Sequence, residues 1–67
     1  MRIKMLDTVE DSQPYIDDSG DKPQVKYSVV KLRKDAEYDG ESMKGDPAWD
    51  KRAPKLVSLD FAVEVEG

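Results

Sequence analysis

The side chains that carry most protein chemistry are scarce in this chain, so attention falls on a few short groupings. There is no Cys and no His, which removes thiolate nucleophiles, disulfides, the commonest zinc ligand and the best proton shuttle near neutral pH. Ser28 and Lys31, in "SVVK", have the Ser-x-x-Lys spacing with which a helical turn brings a lysine to a nucleophilic serine. The flanking "VKYSVVKLR" is rich in β-formers, however, and side chains three apart on a strand point to opposite faces. "DDSGD", Asp17 to Asp21, gathers carboxylates as a calcium loop does, but its spacing does not fit the twelve-residue loop with a closing glutamate. "GESMKG", Gly40 to Gly45, lacks the glycine placement and Lys-Ser/Thr ending of a phosphate cradle. No catalytic, cofactor-binding or metal residue is assigned, no cofactor is implied, and the chain is read as non-enzymatic.

What remains is recognition. Trp49 stands beside Asp50, Lys51 and Arg52, with Lys55 close behind. A lone tryptophan in a small domain is either its largest core residue or an interface anchor rimmed here by basic groups. Tyr15 and Ile16 are the large apolar residues in an otherwise polar stretch, and they either turn inward to anchor it or face a partner. Tyr15, Ile16, Trp49, Lys51 and Arg52 are therefore the candidate partner contacts. An alternative, a basic strip for nucleic acid, would use Lys26, Lys31, Arg33 and Lys34, but an overall acidic chain opposes it.

These residues must be positioned by one small domain, 1–67. A chain of this length buries only about 60% of the surface its unfolded form exposes, and such a core rarely supplies more than roughly 3–5 kcal/mol unaided. With disulfides and thiolate metal sites excluded, association with copies of itself or with a larger protein is the staple left. Charged residues make up 39% of the chain and the net charge is −4. The acids cluster first, at Asp7, Glu10, Asp11, Asp17, Asp18 and Asp21, and the bases follow at Lys22, Lys26, Lys31, Arg33 and Lys34. Such an order suits two neighbouring elements of one sheet whose opposite charges face each other. No apolar run is long enough for a signal-peptide core or a membrane span, and the absence of Cys agrees with synthesis in a reducing cytoplasm.

"RIKMLDTV", residues 2–9, alternates and then slips phase at Leu6, as a strand with a bulge or strong twist would. Prolines, glycine, serines and acids over residues 10–24 predict a long loop. Residues 25–33 form a strand with Val25, Tyr27 and Val29 on one face and Val30 and Leu32 on the other, the switch a small coiled barrel requires. "AEYDG" reads as a short strand and turn, and Asp46-Pro47 as an N-cap with proline at the first helical position. Pro54 either kinks that helix or starts a second one; Leu56, Val57 and Leu59 form its apolar side, and Asp60 suits a left-handed reversal. Phe61, Val63 and Val65 then alternate with Ala62, Glu64 and Glu66 as a half-buried strand.

The expected fold is mainly β: a small barrel or a strongly twisted sheet of four to five strands, with one or two short helical turns near the C-terminus. The closing segment "APKLVSLDFAVEV" resembles the end of short tailed-bacteriophage proteins of the head and head–tail region. Leu56 and Val57, Leu59, and Ala62 fit their closing pattern, and "MRIKMLDTV" resembles their opening strand. Asp60 stands where those proteins carry a turn glycine, and the stretch 10–24 is extra. The resemblance covers the first nine and last fourteen residues and implies the SH3-like barrel. It further implies a virion structural protein, a head decoration or cement subunit or a minor head–tail component. Such a subunit is made in the cytoplasm of the bacterial host and then enters the virion, with the major capsid protein, another virion subunit or copies of itself as partners. The other readings are a soluble phage-encoded inhibitor or regulator of one host protein and a nucleic-acid-binding small barrel.

Overall fold

The computed structural model describes residues 1–66; Gly67, the last residue of the expected domain, lies outside them. Five strands and one helix follow in the order β1 (Arg2–Met5), β2 (Val9–Asp17), β3 (Gln24–Leu32), β4 (Glu37–Tyr38), α1 (Trp49–Ser58) and β5 (Ala62–Val65). The fold is mainly β, as the sequence implies, with the short helix near the C-terminus. The strands divide into two antiparallel sheets, a three-stranded one ordered β4-β1-β5 and a two-stranded hairpin of β2 and β3.

The phase slip at Leu6 marks an end rather than a bulge. β1 stops at Met5, the chain turns, and Val9 begins a strand in the other sheet. Lys34 N–H donates to Thr8 Oγ1 at 3.0 Å and Asp35 N–H to the Met5 carbonyl at 2.9 Å, tying that turn to the end of β3.

The expected loop at 10–24 is also corrected. Residues 9–17 are strand throughout, and only 18–23 connect it to β3. Two prolines and a run of acids predicted irregular structure, but a two-stranded ribbon has an open edge on each strand, where a missing N–H is tolerated. Pro14 sits in β2 opposite Tyr27. The charge order does what the sequence suggests: Glu10 pairs in register with Lys31, and Lys26 Nζ lies 2.6 Å from Asp17. Asp17 also accepts from Ser19 N–H at 3.0 Å and Ser19 Oγ at 2.6 Å, which starts the reversal.

Trp49–Ser58 is one helix that runs through Pro54, not two. Asp46 does not cap it; Ala48 occupies the cap position, and Asp46 Oδ1 instead accepts from Ala48 N–H at 3.0 Å in the turn before. Trp49, Arg52, Ala53 and Leu56 form the buried stripe, at the spacing of one helical face. At the other end Asp60 has φ 63°, Phe61 N–H donates to the Leu56 carbonyl at 3.0 Å and Asp60 N–H to that of Val57 at 3.1 Å. Those two bonds define a Schellman cap with Asp60 in the left-handed position.

The core is small: Ile3 and Met5 from β1, Leu32 from β3, Trp49, Ala53 and Leu56 from α1, and Ala62 from β5. Val9, Val30, Tyr38, Met43 and Val57 pack around it. The nine-residue strands of the hairpin extend to about 30 Å, and the molecule measures 40 × 21 × 17 Å. Residues 18–27 are all exposed, so the distal hairpin projects as an arm. No described helix is long and apolar enough to cross a membrane.

Candidate protein interface

The arm is fixed to the body by charge. Arg52 is fully buried: its Nε donates to Asp11 Oδ2 at 3.0 Å, and its two terminal nitrogens donate to Asp46 Oδ2 and to the Ser28 backbone carbonyl. Ser28 Oγ donates to Asp46 Oδ1 at 2.8 Å, and Lys55 Nζ reaches Asp11 Oδ1 at 2.7 Å and Gln13 Oε1 at 3.2 Å. One guanidinium thereby joins helix α1, both hairpin strands and the turn at Asp46. Burial pushes the Asp11 carboxyl up, but the hydrogen bonds and positive charges of Lys55 and Arg52 outweigh it and leave its pKa lowered. Asp17, at the far end of the arm, is held well below the carboxylate range by the hydrogen bond from Lys26, whose own pKa is raised by the same pair.

With Asp11, Gln13 and Ser28 turned to the body, strand alternation sends their neighbours outward. The outer face of the arm carries Ser12, Pro14 and Ile16 from β2 opposite Val29, Tyr27 and Val25 from β3. Tyr27 is 67% exposed, and Ile16, Val25 and Val29 are similarly open to solvent. Exposed apolar side chains gathered on one face, unlike singly scattered ones, are a common feature of binding surfaces.

The three-stranded sheet repeats the inversion. Ala62 points into the core, while Phe61 and Val63 are 41% and 43% exposed and Val65 is half-buried. The apolar side of β5 thus faces away from the core, reversing the expectation of a half-buried strand with that side inward. Register places Val63 opposite Lys4 and Val65 opposite Arg2, so this outer face mixes an apolar stripe with two cations. Leu6 is exposed beside them, and Leu59, expected on the buried side of the helix, is exposed at its C-cap.

Among the candidate contact residues the structure separates core from surface. Trp49 is 6% exposed and belongs to the core, and Arg52 is the centre of the buried network, so neither offers a partner an exposed surface. Their placement follows from the helical stripe, which takes in residues 49, 52, 53 and 56 whatever their polarity. The indole Nε1 of Trp49 is buried and has no acceptor among the described residues, next to a shallow recess of about 150 Å3 that Gly40 and Met1 also line. Lys51 is exposed on the far side of the helix, Ile16 lies on the outer face of the arm, and Tyr15 is half-buried on its inner face.

Val25, Tyr27, Val29, Phe61 and Val63 are exposed apolar residues that the sequence did not single out as candidate contacts. For the three on β3 the signal was the face switch at Val29–Val30, which marks a strand apolar on both sides with a core large enough for one; for Phe61 and Val63 it was the alternation of residues 61–65. The basic run forms no single strip, because strand parity puts Lys26 on the inner face of the arm and Lys31 on the outer. No protein-family model, curated protein or solved structure matches the chain.

Proposed function

We propose that this chain is a non-enzymatic structural subunit of a tailed-bacteriophage particle, a head decoration or cement protein or a minor head–tail component acting through protein–protein contacts. The observation that carries the binding role is the outer face of the arm, where Ile16, Val25, Tyr27 and Val29 stand exposed together on a projecting hairpin. A domain with so few buried large side chains gains from covering such a face. In a particle, that burial comes from neighbouring subunits. The placement in a virion rests on the resemblance of "MRIKMLDTV" and "APKLVSLDFAVEV" to short phage proteins. Open edges on both sheets add sites where a neighbour's strand can pair.

Quantitative mass spectrometry of purified particles of the phage that encodes the chain tests the reading. A fixed copy number relative to the major capsid protein is expected. Absence from particles overturns the virion role, and capture of one host protein in stoichiometric amount by the tagged chain would then identify a soluble regulator.

A further inference from the structure

We infer that the recess beside Trp49 is a contact site that takes a main-chain carbonyl of a partner protein, whose oxygen becomes the acceptor the indole N–H lacks. The inference rests on the protein-contact reading above only for the partner's being a protein. A buried tryptophan N–H usually has an acceptor, because without one it has lost its water and gained no bond. Trp49 gives a partner no exposed surface, yet its Nε1 has no acceptor among the described residues and borders a recess walled by Met1, Gly40, Asp50, Ala53 and Pro54. Gly40 places the nitrogen on the recess side of the ring: a Cβ at that position would lie 3.9 Å from both Nε1 and Cδ1.

Size and charge select the occupant. A water takes about 30 Å3, so the recess of about 150 Å3 has room for one peptide group with a small carbon on either side. Met1, Ala53 and Pro54 supply apolar walls for those carbons, and the recess lies at the first turn of α1, the helix end that attracts the negative end of a dipole. Asp50, exposed in the same turn, repels a full negative charge, so a neutral carbonyl is preferred over a carboxylate. The nitrogen is out of contact with water until a wall yields, and Met1, flexible and 50% exposed, is the wall able to turn aside. Once reached, the donor forms its bond without shedding water of its own.

A lone tryptophan gives a lone indole N–H resonance, so proton–nitrogen NMR on the whole chain reads the site directly. The probe is N-methylacetamide, a neutral peptide group, titrated to about 100 mM; a ligand so small is expected to bind with a Kd on the order of 10 mM. The indole proton should move downfield, as a new hydrogen bond requires, and saturate, with the backbone N–H signals of Gly40 and Ala53 following the same curve. Sodium acetate over the same range should leave it in place. Gly40→Ala, at a position whose φ needs no glycine, sets a methyl against Nε1 and should abolish the shift while the circular dichroism stays that of the wild type. Trp49→Phe keeps a ring in the core and removes the donor; followed at Gly40 and Ala53, its affinity should fall about tenfold, the factor for roughly one hydrogen bond. Should Trp49→Phe not fold, Gly40→Ala carries the test. An indole signal that never saturates, or that moves as far in Gly40→Ala, overturns the inference, as do undiminished binding by Trp49→Phe and a shift with acetate alone. Absence from particles with amide binding intact would refute the virion role alone, and presence in particles with no response to the amide would refute only this inference.

Discussion

The two faces of the β2–β3 hairpin reverse the usual rule for a ribbon packed on a body. Its inner face holds Asp11, Gln13 and Ser28, and these meet a buried arginine; its outer face holds Pro14, Ile16, Val25, Tyr27 and Val29, and these meet water. Only at its base, through Val9, Val30 and Leu32, does the inner face join the apolar core. The ribbon is therefore held by directional bonds on the face that packs on the body and left apolar on the face that no described residue covers. A buried ion network contributes little net stability over a well-packed apolar replacement, yet it is costly to break and can fix one arrangement over others. We read Arg52 as the register pin of the arm: it accepts only the geometry that brings two carboxylates and the Ser28 carbonyl to one guanidinium.

The most severe way to break the contrast is to remove that pin. Arg52→Ala leaves Asp11 and Asp46 buried without the guanidinium, a loss of about 3–5 kcal/mol for a pair broken on one side. In a domain whose whole stability is of the same order, this variant is expected to be largely unfolded at 25 °C. Urea denaturation followed by circular dichroism checks it. An Arg52→Ala protein as stable as the wild type would show that the network does not hold the arm.

Asp11→Asn is milder, since Arg52 keeps Asp46 and the Ser28 carbonyl. Its expected cost is about 1–3 kcal/mol at neutral pH, the range for a lost charge-assisted bond. The pH dependence has a definite sign. Because the folded-state pKa of Asp11 is lowered, its contribution is fully present above the ordinary value of 3.8 and disappears as pH falls toward the lowered one. Asp17 and Asp39, whose pKa values are also lowered, are common to both proteins and cancel in the difference. Stability curves of wild type and variant should therefore run parallel at neutral pH and converge below about pH 4. A constant gap through the acid range would assign the loss to something other than the Asp11 charge.

The sequence made the elements easier to read than their orientation. β3, β5, the left-handed Asp60 and the opposition of acidic and basic segments were all legible, because each follows from local propensity or from charge order along the chain. Orientation was not, for a reason visible at Ala62 and Phe61. A period-two pattern tells which residues share a face, and assigning the larger residues to the core assumes that burial within one chain decides the matter. Here α1 lies so close to β5 that alanine faces it, and phenylalanine goes outside. The hairpin was hidden for a different reason. Pro14 and the acids of 10–17 are poor strand formers, and the strand exists because β3 offers it a complete register. Arg52 reads as a rim charge because charged residues are almost never fully buried unless paired; Asp11 is 41 residues away along the chain, and Asp46, six residues before Arg52, lies ahead of the helix and off the i, i+3 and i, i+4 spacing of helical pairs.

Asp60 offers a smaller, stabilising change. An L-residue at φ 63° carries a left-handed penalty that glycine lacks, partly offset by the greater freedom glycine has when unfolded. Asp60→Gly is expected to raise stability by about 0.5 kcal/mol, with an upper limit of about 1 kcal/mol. Because the gain sits in the Schellman cap that swings the chain into β5, it should leave the ion network and the outer faces untouched and add independently to the cost of Asp11→Asn. A double variant that departs from additivity would couple the cap to the arm.

The smallest expected effect on stability is the one that most sharpens the contrast between the faces. Tyr27→Ser removes the largest side chain of the outer face, yet at 67% exposure it takes little from the folded monomer, and the shift in unfolding free energy at low micromolar concentration is expected within about 0.5 kcal/mol. The inner neighbour Ser28, one residue along, lends both its hydroxyl and its carbonyl to the network. Two adjacent residues on one strand thus separate what holds this fold together from what it leaves exposed. If Tyr27→Ser instead unfolds the monomer, the outer face is part of the domain's own stability and its exposure is no sign of a partner.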